Sequence, residues 1–511
     1  MLVKTYGCAI LGIKALRITI EVSIDQGIQF FMVGLPDNAV RESHQRIESA
    51  LRHNGYHIPG KKIVINLAPA DIRKEGSAYD LPIAVGVLAA SGVVGTGLLE
   101  RHMIMGELSL DGSLLPVRGA LPIALQAKKE GFEGVILPSV NAREAAVVEG
   151  INVYGAVSIK DVIDFFNGEK SLRPVKTDIA GEFAKSRFQS VDFADVRGQE
   201  NIKRALEVAA AGGHNLLMIG PPGAGKTMMA KRLSSILPPL EVQEALETTK
   251  IYSVAGKLRT SGSLITERPF RAPHHTVSAV ALTGGGSNPR PGEVSLAHHG
   301  ILFLDELPEF SRQALEVLRQ PMEDRTVTVS RALHSITFPS VFMLVAAMNP
   351  CPCGYYNHPQ TPCQCNPMVI SRYLHRISGP LFDRIDIQVE VIPVPYHDLR
   401  NQPSAENSES IRKRVIMARN RQVARFREMK GVYCNAQMPH SLMRKQCVID
   451  ESGNSLLRNA MEKLGLSARA YERILKLSLT IADLEGSEKI LPAHVAEAIT
   501  YRSLDRDGWG S

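Results

Sequence analysis

The stretch GPPGAGKT, Gly220 to Thr227, follows the apolar run NLLMI and leads into MMAKRLSSIL, giving a strand, a glycine-rich turn and a helix in that order. Gly220, Gly223 and Gly225, with Pro221, Pro222 and Ala224 between them, let the backbone turn its N–H groups inward around phosphate oxygens. Lys226 would neutralise the β- and γ-phosphates, and the Thr227 hydroxyl would ligate Mg²⁺. GILFLDE supplies the second half of such a site: a buried strand, then Asp305 for the Mg²⁺ shell and Glu306 to activate a water. A carboxylate pair that merely caps a turn fits the same local spacing, but it leaves the P-loop without its metal partner. A third apolar run, VFMLVAAMN, ends in Asn349, whose amide can stand beside a γ-phosphate.

Immediately after Asn349, the segment MNPCPCGYYNHPQTPCQCNP holds four of the seven cysteines, Cys351, Cys353, Cys363 and Cys365. Four thiolates in two pairs can close a tetrahedral Zn²⁺ site with Zn–S of about 2.3 Å, with His358 as a spare ligand. One residue within each pair is not a common zinc-finger spacing, so unmetallated thiols and a redox switch stand beside structural zinc as readings. A full set of four leaves no open position, which argues against a catalytic zinc.

These residues need elements to hold them. The length of 511 residues suggests roughly three domains. A composition of 44% hydrophobic and 22% charged residues is that of a folded globular chain, and a net charge of +7 permits a local nucleic-acid patch without demanding one. Residues 1–166 alternate strand-like and helical runs, a mixed α/β domain; 167–190 are polar and weakly periodic, a linker. Residues 191–395 read as a doubly wound nucleotide-binding sheet, and 396–511 as a basic helix followed by a helical lid. SARAYERILKLSLTIADL puts Tyr471, Ile474, Leu475, Ser478 and Ile481 on one helical face, and another helix starts at Pro492. The uncharged run from Leu81 to Leu99 is broken by Pro82 and several glycines, so it reads as a buried helix ending at Ser91-Gly92 and not as a membrane span. The N-terminus lacks a signal peptide's pattern, which points to a cytoplasmic protein whose clustered cysteines are not disulfides.

An extra strand between the P-loop strand and the asparagine, with a helical lid behind, is the pattern of an AAA+ ATPase. RPFRAPHHTVS, GEVSLAHHGILFLDELPEF, AAMNPCPCG and SGPLFDRID resemble the magnesium-chelatase-like AAA+ group, and within it the bacterial ComM/YifB-type proteins, along essentially the whole chain. The resemblance implies an ATP- and Mg²⁺-dependent ring, a hexamer, with Asn349 as sensor 1, Arg384 as the arginine finger for the neighbouring subunit, and Arg469 as sensor 2 of the lid. Arg473 is the fallback for Arg469. Read locally, Arg384 could instead pair with Asp383 or Asp386, and Arg469 could be a solvated helix start. Gly106 to Pro138 and the run KEGSAYDLPIAVGVLAASG resemble the proteolytic domain of Lon, which implies a ribosomal S5 domain 2-like α+β fold ahead of the AAA+ core. Lon uses a Ser–Lys dyad. The alignment of motifs puts Ala78 at the nucleophile and Leu121 at the lysine; Ser77 is one residue off, and Lys128 and Lys129 lie about two helical turns away. The domain therefore reads as non-proteolytic.

EDRTVTVSRALHSITFP alternates apolar and polar residues around SRALHS and reads as a β-hairpin with Arg331 and His334 near its tip. A second loop, KLRTSGSLITERPFRAPHH, offers Arg268 and Arg271 among its basic residues, and the helix IRKRVIMARNRQVARFREMK adds more. With few aromatic side chains in these loops, contact with single-stranded or branched DNA would run through the phosphate backbone, without sequence preference. The reading is an ATP-hydrolysing ring motor on DNA; the resemblance implies a branch-migration helicase in homologous recombination during natural transformation. The alternative is a magnesium-chelatase-type ATPase subunit that drives metal insertion or protein remodelling. An ATP-dependent protease fails at Ala78 and Leu121.

Overall fold

Side chains along Lys14–Asp25 alternate, with Ile18, Ile20 and Val22 buried and their neighbours exposed or half-exposed, the signature of a strand covered on one face. In the computed structural model, which describes residues 1–185, 191–258, 263–286, 289–330, 335–358, 360–393, 406–429 and 431–502, this strand pairs antiparallel with Leu2–Leu11. The chain divides into two units, Met1–Ser186 with Val242–Thr266, and Arg187–Glu241 with Glu267–Ser511.

The first unit is a seven-stranded mixed sheet in the order Phe30–Val33, Lys62–Ala68, Lys14–Asp25, Leu2–Leu11, His102–Ile104, Gly134–Pro138, Asn152–Ala156. The helix Asp80–Ala90 is buried along its whole length and ends at Ser91 with Gly92 at φ +83°, as the sequence suggested. It approaches the sheet closely because Gly86 has no side chain: a Cβ there would lie 2.8 Å from Val22 Cγ2. At its start, Arg46 grips the buried Asp80 with Nε at 2.7 Å and Nη2 at 2.9 Å. Burial nevertheless pushes the Asp80 carboxyl up to about 6, against the pull of Arg46. No helix among the described residues is long and apolar enough to cross a membrane.

The helix Val242–Ala255 falls between the P-loop and the second carboxylate strand in sequence, yet it belongs to this first unit. There Ser253 Oγ donates to Glu144, Gly119 N–H donates to Ser253 O at 3.3 Å, and Leu246 packs against the core. Part of the stretch expected as a linker is also bound in: Val175 N–H donates to Val153 O at 2.8 Å, and Ile179–Lys185 forms a short helix.

The second unit carries a five-stranded, all-parallel sheet in the order Phe270–Arg271, Gly300–Leu304, Phe342–Met348, Leu216–Ile219, Ile387–Glu390. The three central strands are almost wholly buried, as parallel strands covered on both faces must be. Behind them come the helices Ser408–Arg425, Glu451–Leu464, Ala468–Glu485 and Pro492–Thr500. On Ala468–Glu485 the residues Ile474, Leu475, Ser478 and Ile481 face inward, whereas Tyr471 stays 37% exposed. Much of the positive charge of Ser408–Arg425 is matched within the unit: Arg414 meets Glu207 and Glu406, Arg425 meets Asp483, and Arg419 and Arg421 donate to backbone carbonyls.

Candidate active site

The P-loop leaves the strand Leu216–Ile219 and runs into the helix Lys226–Ile236. Gly220 is required by crowding, since a Cβ there would lie 2.3 Å from Val391 O; Gly223 and Gly225 are required by φ of +77° and +86°. Lys226, buried, donates from Nζ to Gly220 O at 2.7 Å, Pro221 O at 2.9 Å and Asn349 Oδ1 at 3.0 Å. Burial pushes its ammonium down from the usual lysine value, with the Asp305 and Glu306 carboxylates pushing the other way. Gln199, itself at φ +59°, clamps the loop from outside, donating from Nε2 to Ala224 O at 3.3 Å and Ile392 O at 3.2 Å.

The carboxylates arrive from Gly300–Leu304, two strands from the P-loop strand in the same sheet. Thr227 Oγ1 donates to Asp305 Oδ2 at 2.5 Å, so the two expected Mg²⁺ ligands already touch. Glu306 turns away at φ +52°, with its N–H on Asp305 Oδ1 at 3.0 Å and His275 Nδ1 3.3 Å from its Oε2. Asn349, at the end of the intervening strand Phe342–Met348, accepts from Lys226 Nζ through its Oδ1, and its backbone N–H works to lower the Tyr373 phenol that burial pushes up. Lys226, Thr227, Asp305, Glu306 and Asn349 thus converge at the C-terminal ends of three parallel strands, where such sheets bind ligands. Chemically the arrangement can hold a Mg²⁺–nucleoside triphosphate and present a water to its γ-phosphate.

Arg384 lies elsewhere. It precedes the strand Ile387–Glu390, whose Ile387 pairs with Leu216, whereas the P-loop follows Ile219 opposite Glu390. The length of the strand, about 13 Å, therefore separates Arg384 from the phosphate loop of its own chain. Its guanidinium is 7% exposed and pairs with Glu323, not with Asp383 or Asp386 as the local reading allowed. Asn215 fixes this edge, with its N–H on Asp386 Oδ2 at 2.8 Å and its Nδ2 on Arg384 O at 3.0 Å. Arg469 is exposed and close enough to help lower the Glu323 carboxyl, together with Arg384, which stands first among the causes. Arg473, the fallback for the lid arginine, is committed to Asp386 and Arg384 O.

Burial works to raise the Asp386 carboxyl, yet Arg473, His214 and the Asn215 N–H outweigh it and hold it well below the ordinary carboxylate range. A folded-state value below the unfolded one stabilises above the unfolded pKa and is lost as pH falls through that range. Asp386→Asn is accordingly expected to lower the unfolding free energy by about 3 kcal/mol at neutral pH, because Arg473 loses its buried counter-charge. In denaturant melts, the gap between variant and wild type should narrow as the buffer is made acidic; a gap constant with pH would contradict the assignment.

Two arginines expected at DNA are used otherwise. Arg268 donates to Pro238 O at 2.7 Å, His299 O at 2.8 Å and Pro239 O at 3.2 Å, and Arg271 makes a two-pronged pair with Glu293 at 2.6 and 2.8 Å. The hairpin is present, with Thr326–Ser330 paired antiparallel to Ser335–Pro339; its tip residues Arg331 and His334 lie outside the described residues. Cys351, Cys353, Cys363 and Cys365 cluster with every sulfur within 4.8 Å of the others. His358 is not part of that group: its Nδ1 accepts the N–H of Gln360 and Thr361. In the first unit, Leu121 is fully buried and Ala78 offers no nucleophile, which leaves the Lon-type dyad positions apolar. Gln199, His275, Glu323 and Tyr373 were not singled out from the sequence as site residues, although His275 lies within the quoted run RPFRAPHHTVS.

Three family profiles cover most of the chain: "Magnesium chelatase, subunit ChlI" over residues 192–399, "Subunit ChlI of Mg-chelatase" over 20–141, and "Magnesium chelatase, subunit ChlI C-terminal" over 405–502. The chain is 45% identical over 504 residues to protein YifB of Salmonella typhimurium, covering 98% of this chain and 96% of YifB. It is 44% identical over 505 residues to competence protein ComM of Haemophilus influenzae, covering 98% and 97%. A shorter likeness, 28% identical over 180 residues, links it to Lon protease 2 of Bacillus subtilis, covering 32% of this chain and 31% of that protease. With this identity over nearly its full length, the chain belongs to the ComM/YifB family of magnesium-chelatase-like AAA+ proteins.

Proposed function

We propose that the protein is an ATP-hydrolysing ring motor that acts on DNA in the bacterial cytoplasm, with branch migration of recombination intermediates during natural transformation as its task. The convergence of Lys226, Thr227, Asp305, Glu306 and Asn349 supports the ATPase reading, because phosphoryl transfer is mostly positioning and charge stabilisation. The separation of Arg384 from its own P-loop supports the ring, since an arginine finger placed there serves only a neighbouring subunit, and six subunits is the form the family resemblance implies. Full-length likeness to a protein named for competence supports the DNA substrate.

On this reading the hairpin Thr326–Ser330 and Ser335–Pro339 carries the DNA contact. Its exposed face is lined by the hydroxyl pairs Thr328–Thr337 and Ser330–Ser335, suited to phosphates and not to base edges. Arg268 and Arg271 are left out of the contact set, because their donors are occupied.

ATP turnover by the purified protein is expected to rise on addition of single-stranded or branched DNA, and the rise to shrink steeply as salt is increased. Lys226→Ala, which cannot hold the phosphates, should show neither basal nor stimulated turnover. If wild-type turnover is indifferent to every DNA from low to physiological salt, the DNA reading falls, and a chelatase-type motor driving metal insertion or protein remodelling takes its place.

A further inference from the structure

Beyond Asn349 the chain forms a tight turn, Cys351-Pro352-Cys353-Gly354, closed by Gly354 N–H on Cys351 O at 2.9 Å with Gly354 at φ +85°. Cys351 Sγ and Cys353 Sγ are 3.3 Å apart, and Cys363 Sγ lies 3.7 and 3.6 Å from them. A disulfide needs about 2.05 Å between sulfurs, and all four cysteines are free thiols. Tetrahedral Zn–S bonds of about 2.3 Å place sulfurs about 3.8 Å apart, close to the spacing found. A backbone N–H also points into the cluster, that of Cys365 at Cys363 Sγ at 3.4 Å. Such a donor offsets part of the negative charge that four thiolates leave around a divalent ion.

The same turn touches the nucleotide site on two sides. Gly354 faces the P-loop so closely that a Cβ would lie 2.5 Å from Pro222 Cδ. From Cys365 the chain enters the helix Pro367–Leu374, capped by Asn366 Oδ1 on Val369 N–H at 2.9 Å, and this helix carries the buried Tyr373, while Cys351 itself follows Asn349 by two residues. We propose that Cys351, Cys353, Cys363 and Cys365 bind one Zn²⁺ and that the metal-closed turn braces the P-loop at Pro222 and the strand end at Asn349, so that metal occupancy sets nucleotide affinity. The proposal does not depend on what the motor acts upon.

Elemental analysis of the full-length protein, purified without chelator and without a polyhistidine tag, should find zinc equimolar with the chain, and Cys363→Ser should lose it. Refolding with Co²⁺ should give the intense visible absorption of a tetrahedral thiolate site. Stripping zinc with a mercurial and chelator is expected to weaken binding of a fluorescent ATP analogue about tenfold, and Gly354→Ala to do the same with its zinc retained. If Cys363→Ser does not fold, the cobalt spectrum and Gly354→Ala still decide. Absence of zinc together with absence of the cobalt spectrum overturns the site. Unchanged nucleotide affinity in both the stripped protein and Gly354→Ala overturns the coupling.

Discussion

Glu306→Gln is expected to bind ATP as tightly as the wild type and to hydrolyse it about 10³-fold more slowly. The argument rests on what each neighbour already does. Lys226 is held inside the glycine turn by Gly220 O, Thr227 Oγ1 donates to Asp305 Oδ2 at 2.5 Å, and neither contact involves the Glu306 side chain. That carboxylate is 58% exposed and steered only by His275 and by the turn at φ +52°, so it is free to take a proton from a water. Glutamine keeps its shape and removes its basicity. Lys226→Ala should differ in kind, losing binding along with turnover. Measured by equilibrium nucleotide binding beside steady-state phosphate release, a Glu306→Gln protein that hydrolyses within a few-fold of wild type would remove Glu306 from the mechanism.

Arg384→Ala should also lower turnover by about 10³-fold or more, yet mixing should rescue it. Its subunit keeps an intact P-loop and lacks the arginine; a Lys226→Ala subunit keeps the arginine and lacks a working P-loop. Subunits that exchange into mixed rings would regenerate complete sites at half the interfaces or fewer, and ATPase activity should reappear in a mixture of two inactive preparations. The Glu323 left behind is 52% exposed and hydrates readily, so little folding penalty is expected from the lost pair. A mixture as inactive as its components, despite demonstrated subunit exchange, would show that Arg384 acts within its own chain or not at all.

The phosphate loop could be read from sequence because its chemistry is contiguous: strand, glycines, lysine and threonine occupy one unbroken stretch, and each glycine has a local reason to be there. Asp305, Glu306 and Asn349 were legible for a related reason, since each closes an apolar run that can only be a buried strand. What escaped is what tertiary packing decides. Arg384 finds Glu323 rather than a nearby aspartate, because Asp386 is already taken by Arg473 from the lid. Arg268 looks free in a basic loop until folding brings the carbonyls of Pro238, Pro239 and His299 around it. Gln199 and Tyr373 carry no motif; only the approach of distant segments gives them work.

The membership of Val242–Thr266 in the first unit governs the order in which the molecule can be made. As the chain leaves the ribosome, the first 186 residues lack the helix that covers Glu144 and Gly119, and they wait for it while the P-loop strand and its helix emerge. At about 5–20 residues per second that delay lasts seconds. The first unit therefore cannot finish folding before the nucleotide loop exists, and no single cut in the polypeptide yields the two units as complete pieces. A gene that lost its front half would strand a helix without its core, which ties the inheritance of the Lon-like part to that of the AAA+ part.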